Sequence, residues 1–312
     1  MKTALVAGGA GFIGSFLCEL LLEKGYKVFA IDNLVTGKRE NIEDLLKNRN
    51  FNWIEHDITA PLHMNVSCDE IYNLASPASP VDFEKMPDFI LKTSAVGHLN
   101  LLNWAKIHSA KILLASTSEV YGDPLEHPQN ESYYGNVNCV GIRGCYDEGK
   151  RFAEALSMAY KRRYGVNIRI ARIFNTYGPR MRPEDGRVIP NFFTQSLNGQ
   201  PLTIYGDGKQ TRSLCYVTDL VQGLFSLMQS EIETPTNVGN PDEYTILDIG
   251  KNVSLACGVE FRTKSFPLPE NDPKQRRPDI SKAQRELEWQ PKVSLREGLA
   301  STLEFFKRSQ NK

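Results

Sequence analysis

Neither sign of charge predominates in this sequence: 37 lysines and arginines stand against 37 aspartates and glutamates. Nucleic acids and anionic membranes are bound through an excess of positive charge, so neither is expected as a partner. Long apolar runs are missing as well. No segment approaches the ~20 consecutive apolar residues of a membrane-spanning helix. The opening Met1-Lys2-Thr3 passes straight into a strand pattern with no charged-then-apolar leader, so the expected setting is the cytoplasm. Cysteine pairs at metal or redox spacing are also absent, because Cys18, Cys68, Cys139, Cys145, Cys215 and Cys257 are scattered and form no C-x-x-C. In a chain of 312 residues they read as free thiols, and neither a disulfide framework nor a metal site is expected. Internal repeats, low-complexity tracts and flexible linkers are lacking, which leaves one large domain or two closely joined ones.

What is present is an alternation of short apolar runs and amphipathic stretches. Thr3–Ala7, Val28–Ile31, Asn52–Ile54, Glu70–Leu74, Lys111–Ala115 and Asn167–Ala171 read as strands, several of them apolar throughout as buried parallel strands are. Phe12–Lys24, Ile42–Lys47, Phe89–Ile107 and Tyr146–Tyr164 read as helices between them. The texture changes after Asn175, where Gly178, Pro179, Pro183 and Gly186 mark a loop. Val217–Gln229 reads as a helix, Thr236–Val238 as a short strand returning to the sheet, and Leu295–Lys307 as a late helix. The fold class is α/β: a Rossmann-type doubly wound parallel sheet with a smaller C-terminal substrate-binding α/β domain. The expected division is 1–175 for the first domain, with 216–240 returning to it, and 176–215 plus 241–312 for the second.

Residues 8–14, GGAGFIG, follow the first strand and open the first helix. Gly8, Gly11 and Gly14 satisfy G-x-x-G-x-x-G, and Gly9, Gly11 and Gly14 satisfy G-x-G-x-x-G. Glycine is required where a tight turn brings backbone close to a pyrophosphate, and the helix start at Phe12 and Ile13 then offers free N–H groups to that anion. Asp32 ends the second strand, where a carboxylate accepts hydrogen bonds from the adenosine ribose and repels a 2′-phosphate; NAD is favoured over NADP. Asn33 is its neighbour, and Asp57 and Ile58 follow the third strand toward the adenine. Lys38 and Arg39 read as solvated residues.

Tyr146 and Lys150 form Y-x-x-x-K, and a spacing of four places both side chains on one helix face. A free phenol has a pKa near ~10 and needs neighbouring positive charge to serve as a general base. Tyr205 and Lys209 share the spacing, but YGDGK is a turn sequence and puts them on no common face. Thr117, Ser118 and Glu119 lie at the C-terminal end of the fifth strand, the edge at which open parallel sheets bind ligands.

Together these residues resemble the extended short-chain dehydrogenase/reductase family, and within it the UDP-glucuronate decarboxylases (UDP-xylose synthases). The resemblance runs through GGAGFIG, NLASPASP at 73–80, ASTSEVYGDP at 115–124, GNVN at 135–138, CYDEGKR at 145–151, RIFNTYGPRM at 172–181, DGRV at 185–188, YGDGKQTRS at 205–213 and RRPDISKA at 276–283. It implies NAD as cofactor, a nucleotide-sugar substrate (UDP-glucuronate) and a homodimer. C4 is oxidised, CO₂ leaves the resulting β-keto acid, and C4 is reduced again. It further implies that Tyr146 is the base, Lys150 its electrostatic partner, Thr117 an orienting hydroxyl, and Glu119 an aid to decarboxylation or proton return. Ser118 or Arg276 is expected to engage the carboxylate region. Asn175, Arg187, Tyr205, Arg212 and Arg276 fall at positions that hold the nucleotide diphosphate, uracil or ribose, for which guanidinium forks are suited.

Three alternatives stay open on the sequence. A 4,6-dehydratase uses an adjacent Asp-Glu pair where this chain has Ser118-Glu119, and a serine hydroxyl is a poor general acid. A 4-epimerase or 4-dehydrogenase shares the oxidation but not the loss of CO₂. The chain departs from the decarboxylase pattern at Cys139, Ile142 and Gly144, and at Tyr134, Val81 and Ser94. A dinucleotide-sensing module on the same fold needs the glycine loop but not Thr117, Tyr146 and Lys150 together.

Overall fold

The computed structural model describes residues 1–62, 67–267 and 275–310. The apolar runs form strands β1 (Thr3–Ala7), β2 (Lys27–Asp32), β3 (Phe51–Glu55), β4 (Glu70–Asn73), β5 (Lys111–Thr117) and β6 (Ile168–Ile173). With Thr236–Val238 they build a seven-stranded sheet in the order Thr236–Val238, β6, β5, β4, β1, β2, β3. Every pairing in it is parallel. Burial on both faces explains the unbroken apolar character of β1: Ala4 and Val6 enter one core layer, Leu5 and Ala7 the other. The strand order reverses direction between β1 and β4, so the crevice beyond their C-terminal ends is where such a sheet receives a ligand.

Helix α1 (Phe12–Glu23) follows β1 directly, and the helix Val217–Gln229 packs beside it. On the other face the expected helix 89–107 forms as one continuous helical run, 87–108, with a π-helical turn inside it. Short helices α2 (Pro80–Lys85) and α3 (Pro87–Lys92) precede a π-helical segment, Thr93–Gly97, that leads into α4 (His98–His108). A Cβ on Gly97 would lie 2.7 Å from Cδ1 of Ile58, so glycine lets this irregular turn pass close to the loop after β3. Helix α2 was not among the expected elements; Pro80 supplies its first turn. The stretch 42–47, expected as a helix, is instead two 3₁₀ turns, Arg39–Ile42 and Leu45–Lys47, of which only Ile42 is buried. One anchoring side chain does not sustain a longer helix. Helix α5 (Gly144–Tyr164) begins two residues before Tyr146.

The remaining described elements lie over the C-terminal edge of the sheet. Thr176–Tyr177 pairs with Cys215–Tyr216, Leu202–Tyr205 with Thr263–Phe266, and Thr211–Ser213 with Glu243–Thr245. Among the described residues no helix is long and apolar enough to cross a membrane.

A buried histidine ties the sheet to both helices on this face. Asn73 Oδ1 accepts from the Ala75 amide, so its Nδ2 donates to Nδ1 of His98 at 3.0 Å, and His98 Nε2 donates to Ser157 Oγ at 2.7 Å. Burial, then the charge of Lys150, pushes the imidazole down to about 3. The native histidine therefore stays neutral while the unfolded chain, with a pKa near ~6.5, takes up a proton. Stability from this group is complete above that value and is lost as pH falls through the window toward 3. We expect wild type to lose about 1 kcal/mol more than His98→Gln between pH ~7.5 and ~5.5 in urea unfolding. Parallel pH profiles for the two proteins would show that His98 does not titrate between the folded and unfolded states.

Candidate active site

A cavity of about 820 Å³ opens at the C-terminal ends of β1 and β4. Its wall brings together the candidate site residues: Gly8, Gly11, Phe12, Ile13, Asp32, Asn33, Asp57 and Ile58 of the cofactor group, and Thr117, Ser118, Glu119, Tyr146 and Lys150 of the catalytic group. Asn175, Arg187, Tyr205 and Arg212 line it as well, and Arg276 reaches it beside Glu119.

The glycine loop is built to approach something closely. Gly8 has φ +80, and a Cβ there would lie 2.9 Å from the Ala75 nitrogen and the Leu74 carbonyl. At Gly14 a Cβ would overlap the carbonyl oxygen of Gly8, so the first turn of α1 lies directly on the loop. Gly11 caps α1 with backbone alone, which leaves the helix-start amides to a ligand. Asp32 anchors this end: its Oδ2 accepts from the Ala10 amide and its Oδ1 from the Leu34 amide. Burial raises the Asp32 carboxyl, opposed by these backbone donors. Asn33 donates to Asp57 Oδ2 at 3.1 Å, joining the two strand ends. Lys38 lies 4.0 Å from Glu184 with both side chains substantially exposed, which agrees with its reading as a solvated residue. A tight glycine loop, a helix start with amides free of side-chain caps, and a carboxylate at the end of β2 all fit a dinucleotide without a 2′-phosphate.

The middle of the cavity is set by β5 and α5. Thr117 ends β5 and its Oγ1 accepts from the Glu119 amide at 3.3 Å, turning the chain into the 3₁₀ turn Ser118–Tyr121. Lys150 donates from Nζ to the Ala115 carbonyl at 2.9 Å, and burial pushes its ammonium down to about 8. Its Nζ lies 5.7 Å from the ring centre of Tyr146. Burial raises the Tyr146 phenol above its usual value, with the Thr117 hydrogen bond opposing that shift. In the protein alone the groups that oppose this rise are Thr117 and Arg187; the lysine expected to favour phenolate is not one of them. Behind these groups Ser116 donates to Glu154, which Arg172 grips at 2.8 and 3.0 Å.

Glu119 is held by residues that lie far from it in sequence. Arg276, 5% exposed, donates through both Nη atoms to its two oxygens, and Arg143 donates to Oε2. Burial pushes the Glu119 carboxyl up, but Arg276 and then Arg143 outweigh it and hold it near 2. Asp147 lies alongside, its Oδ2 3.9 Å from Arg143 Nε. Phe83 stacks on Tyr146 at 5.1 Å. Across the opening Arg187 forks onto Asp185 and Arg182 onto Asp82, both at 2.5 Å. Sequence reasoning missed Arg143, Phe83, Asp147 and Arg182. Only Arg143 left a usable signal, three residues before Tyr146 and so on the same face of the helix start.

A doubly wound parallel sheet with a glycine loop, a Thr117 hydroxyl and a Tyr–Lys helix pair at one crevice defines a short-chain dehydrogenase/reductase of the extended type. Residues 5–302 match the family described as GDP-mannose 4,6 dehydratase. UDP-glucuronic acid decarboxylase 1 of Danio rerio is 50% identical over 307 residues, 98% of this chain and 73% of the relative. UDP-glucuronic acid decarboxylase 6 of Arabidopsis thaliana is 50% identical over 304 residues, 97% of this chain and 88% of the relative. The structure of UDP-glucuronic acid 4-epimerase from Bacillus cereus in complex with UDP-glucuronic acid and NAD superposes with a TM-score of 0.89 at 30% identity, covering 99% of this chain and 100% of that one. Within the extended class, the chain belongs to the UDP-glucuronic acid decarboxylase family.

Proposed function

We propose that this protein converts UDP-glucuronate to UDP-xylose and CO₂. The observation that carries the reading is the juxtaposition of the Thr117–Tyr146–Lys150 group with an ionised Glu119 clasped by arginines, in one cavity with the glycine loop. NAD, when bound, supplies the two-electron oxidation of the sugar at C4 and its reversal. Gly8, Gly11, Phe12, Ile13, Asp32, Asn33, Asp57 and Ile58 would hold it.

Tyr146 takes the proton of the C4 hydroxyl, which Thr117 orients, and returns it when C4 is reduced. Lys150 favours the phenolate whenever the proton is away. The C4 ketone stands β to the carboxylate, so CO₂ leaves with the bonding electrons held as an enolate. In the protein alone Arg276 and Arg143 hold Glu119 as a carboxylate, from which it orders these arginines and a water that returns a proton to C5 after CO₂ has left. Ser118 in place of an aspartate supplies no general acid for the elimination of a dehydratase, and that alternative is not favoured.

Arg187, Arg212, Asn175 and Tyr205 are assigned to the UDP end, whereas Arg276, paired with Glu119, belongs with the carboxylate region, the other role the resemblance implies for it. The division of labour follows the chain: 1–175 with 216–240 for the cofactor, and 176–215 with 241–312 for the nucleotide sugar. The pairing of Thr236–Val238 with β6 supports it. A homodimer through α3, α4 and α5 is part of the reading, supported by the exposed Leu91, Val96, Ile107 and Phe152. A cytoplasmic setting is supported by six unpaired cysteines. Incubation with UDP-glucuronate and NAD should release CO₂ and leave a nucleotide sugar lighter by that mass. A product of unchanged mass would make the protein an epimerase.

A further inference from the structure

We infer that Arg143 selects the uronic acid: its guanidinium leaves Glu119 and takes the C6 carboxylate of the sugar. The inference rests on the UDP-glucuronate reading and deepens it. Arg143 lines the cavity at the N-cap of α5, one turn before Tyr146. Its guanidinium lies 5.5 Å from the ring centre of Phe83, whose plane is inclined by only 18° to that of Tyr146. Phe83 thus links the cation to the ring of the phenol that serves C4, and the Tyr146 amide donates to the Arg143 carbonyl at 3.0 Å. C5 is the adjoining ring carbon and carries C6, so a carboxylate there comes within the sweep of the Arg143 side chain.

Charge pairing singles out this arginine from its neighbours. Glu119 is one carboxylate with two arginine partners, and Arg276 by itself already reaches both oxygens. Arg143 can therefore change partners while Glu119 stays paired. Arg182 and Arg187 cannot, because each would abandon a buried carboxylate, Asp82 or Asp185. Asp147 does not bind Arg143 tightly: it sits at 3.9 Å, and its buried Oδ1 makes no hydrogen bond. Burial, then the charge of Glu119, pushes the Asp147 carboxyl up to about 7. Arg143 makes and breaks no covalent bond. CO₂ departs uncharged, its electrons remaining on the sugar, and the guanidinium returns to Glu119.

The test compares two ligands that differ at C6, UDP-glucuronate and UDP-glucose. They are titrated calorimetrically into full-length, NAD-loaded protein carrying Tyr146→Phe to stop turnover. Adding Arg143→Met should weaken UDP-glucuronate on the order of tenfold to a hundredfold while changing UDP-glucose by about twofold or less. Arg143→Lys should restore part of the discrimination, because the charge returns without the fork. Equal weakening of both ligands, or an unchanged preference, overturns the inference. Wild-type protein that releases no CO₂ from UDP-glucuronate overturns the functional reading itself. Release by wild type with the preference intact in Arg143→Met overturns only the assignment of Arg143.

Discussion

Tyr146→Phe is expected to lower turnover of UDP-glucuronate by about a hundredfold to ten-thousandfold while leaving NAD affinity nearly unchanged. The phenol is the only group among those gathered at the cavity middle whose ordinary chemistry removes a proton from a sugar hydroxyl. Glu119 is fixed as an anion by Arg276 and Arg143, and Lys150 is committed to the Ala115 carbonyl. The substitution removes one oxygen and keeps the ring. Stacking on Phe83 at 5.1 Å is therefore retained and the fold is not disturbed. Single-turnover absorbance at 340 nm and steady-state CO₂ release should fall together, because proton removal accompanies the first chemical step. Turnover close to wild type would remove Tyr146 from the mechanism.

Gly14→Ala should be nearly as damaging, by a different route. The added methyl would overlap the Gly8 carbonyl oxygen and would also lie 2.8 Å from the Gly8 carbonyl carbon and 3.0 Å from the Gly9 Cα. All three are backbone atoms, so nothing flexible can give way and α1 must shift off the loop. The helix-start amides then lose their aim at the diphosphate. Each charge-assisted hydrogen bond lost weakens NAD on the order of tenfold to a hundredfold, and overpacking costs about 1–3 kcal/mol of stability. Calorimetric titration of NAD and a thermal melt measure both. An unaltered NAD affinity would show that the loop does not touch the cofactor.

Much of this architecture was legible because its signals are local. The strands, the glycine loop, Asp32 at a strand end and the Tyr146–Lys150 spacing each occupy a few consecutive residues. The return of Thr236–Val238 to the sheet was legible too, as a short strand just after Pro235. The environment of Glu119 was not legible. Its partners lie at 143 and 276, and nothing in either neighbourhood states that the two guanidiniums meet on one carboxylate. The π-helical turn inside the 89–107 helix was hidden for a related reason: it sets Gly97 against the side chain of Ile58, a contact made across the fold. The Tyr146 phenol held up by burial could not be read either, since desolvation depends on what surrounds a group.

The strand that completes the sheet comes from residues 236–238, long after β6. A protein cut after residue 175 would contain six of these strands and nearly all the glycine-loop chemistry, yet β6 would be left with a bare row of amides and carbonyls. Its IRIARI run is a template for another chain to join. The cofactor half therefore cannot be harvested as a tidy fragment: a truncated gene yields sticky oligomers where a minimal dinucleotide-binding module is wanted.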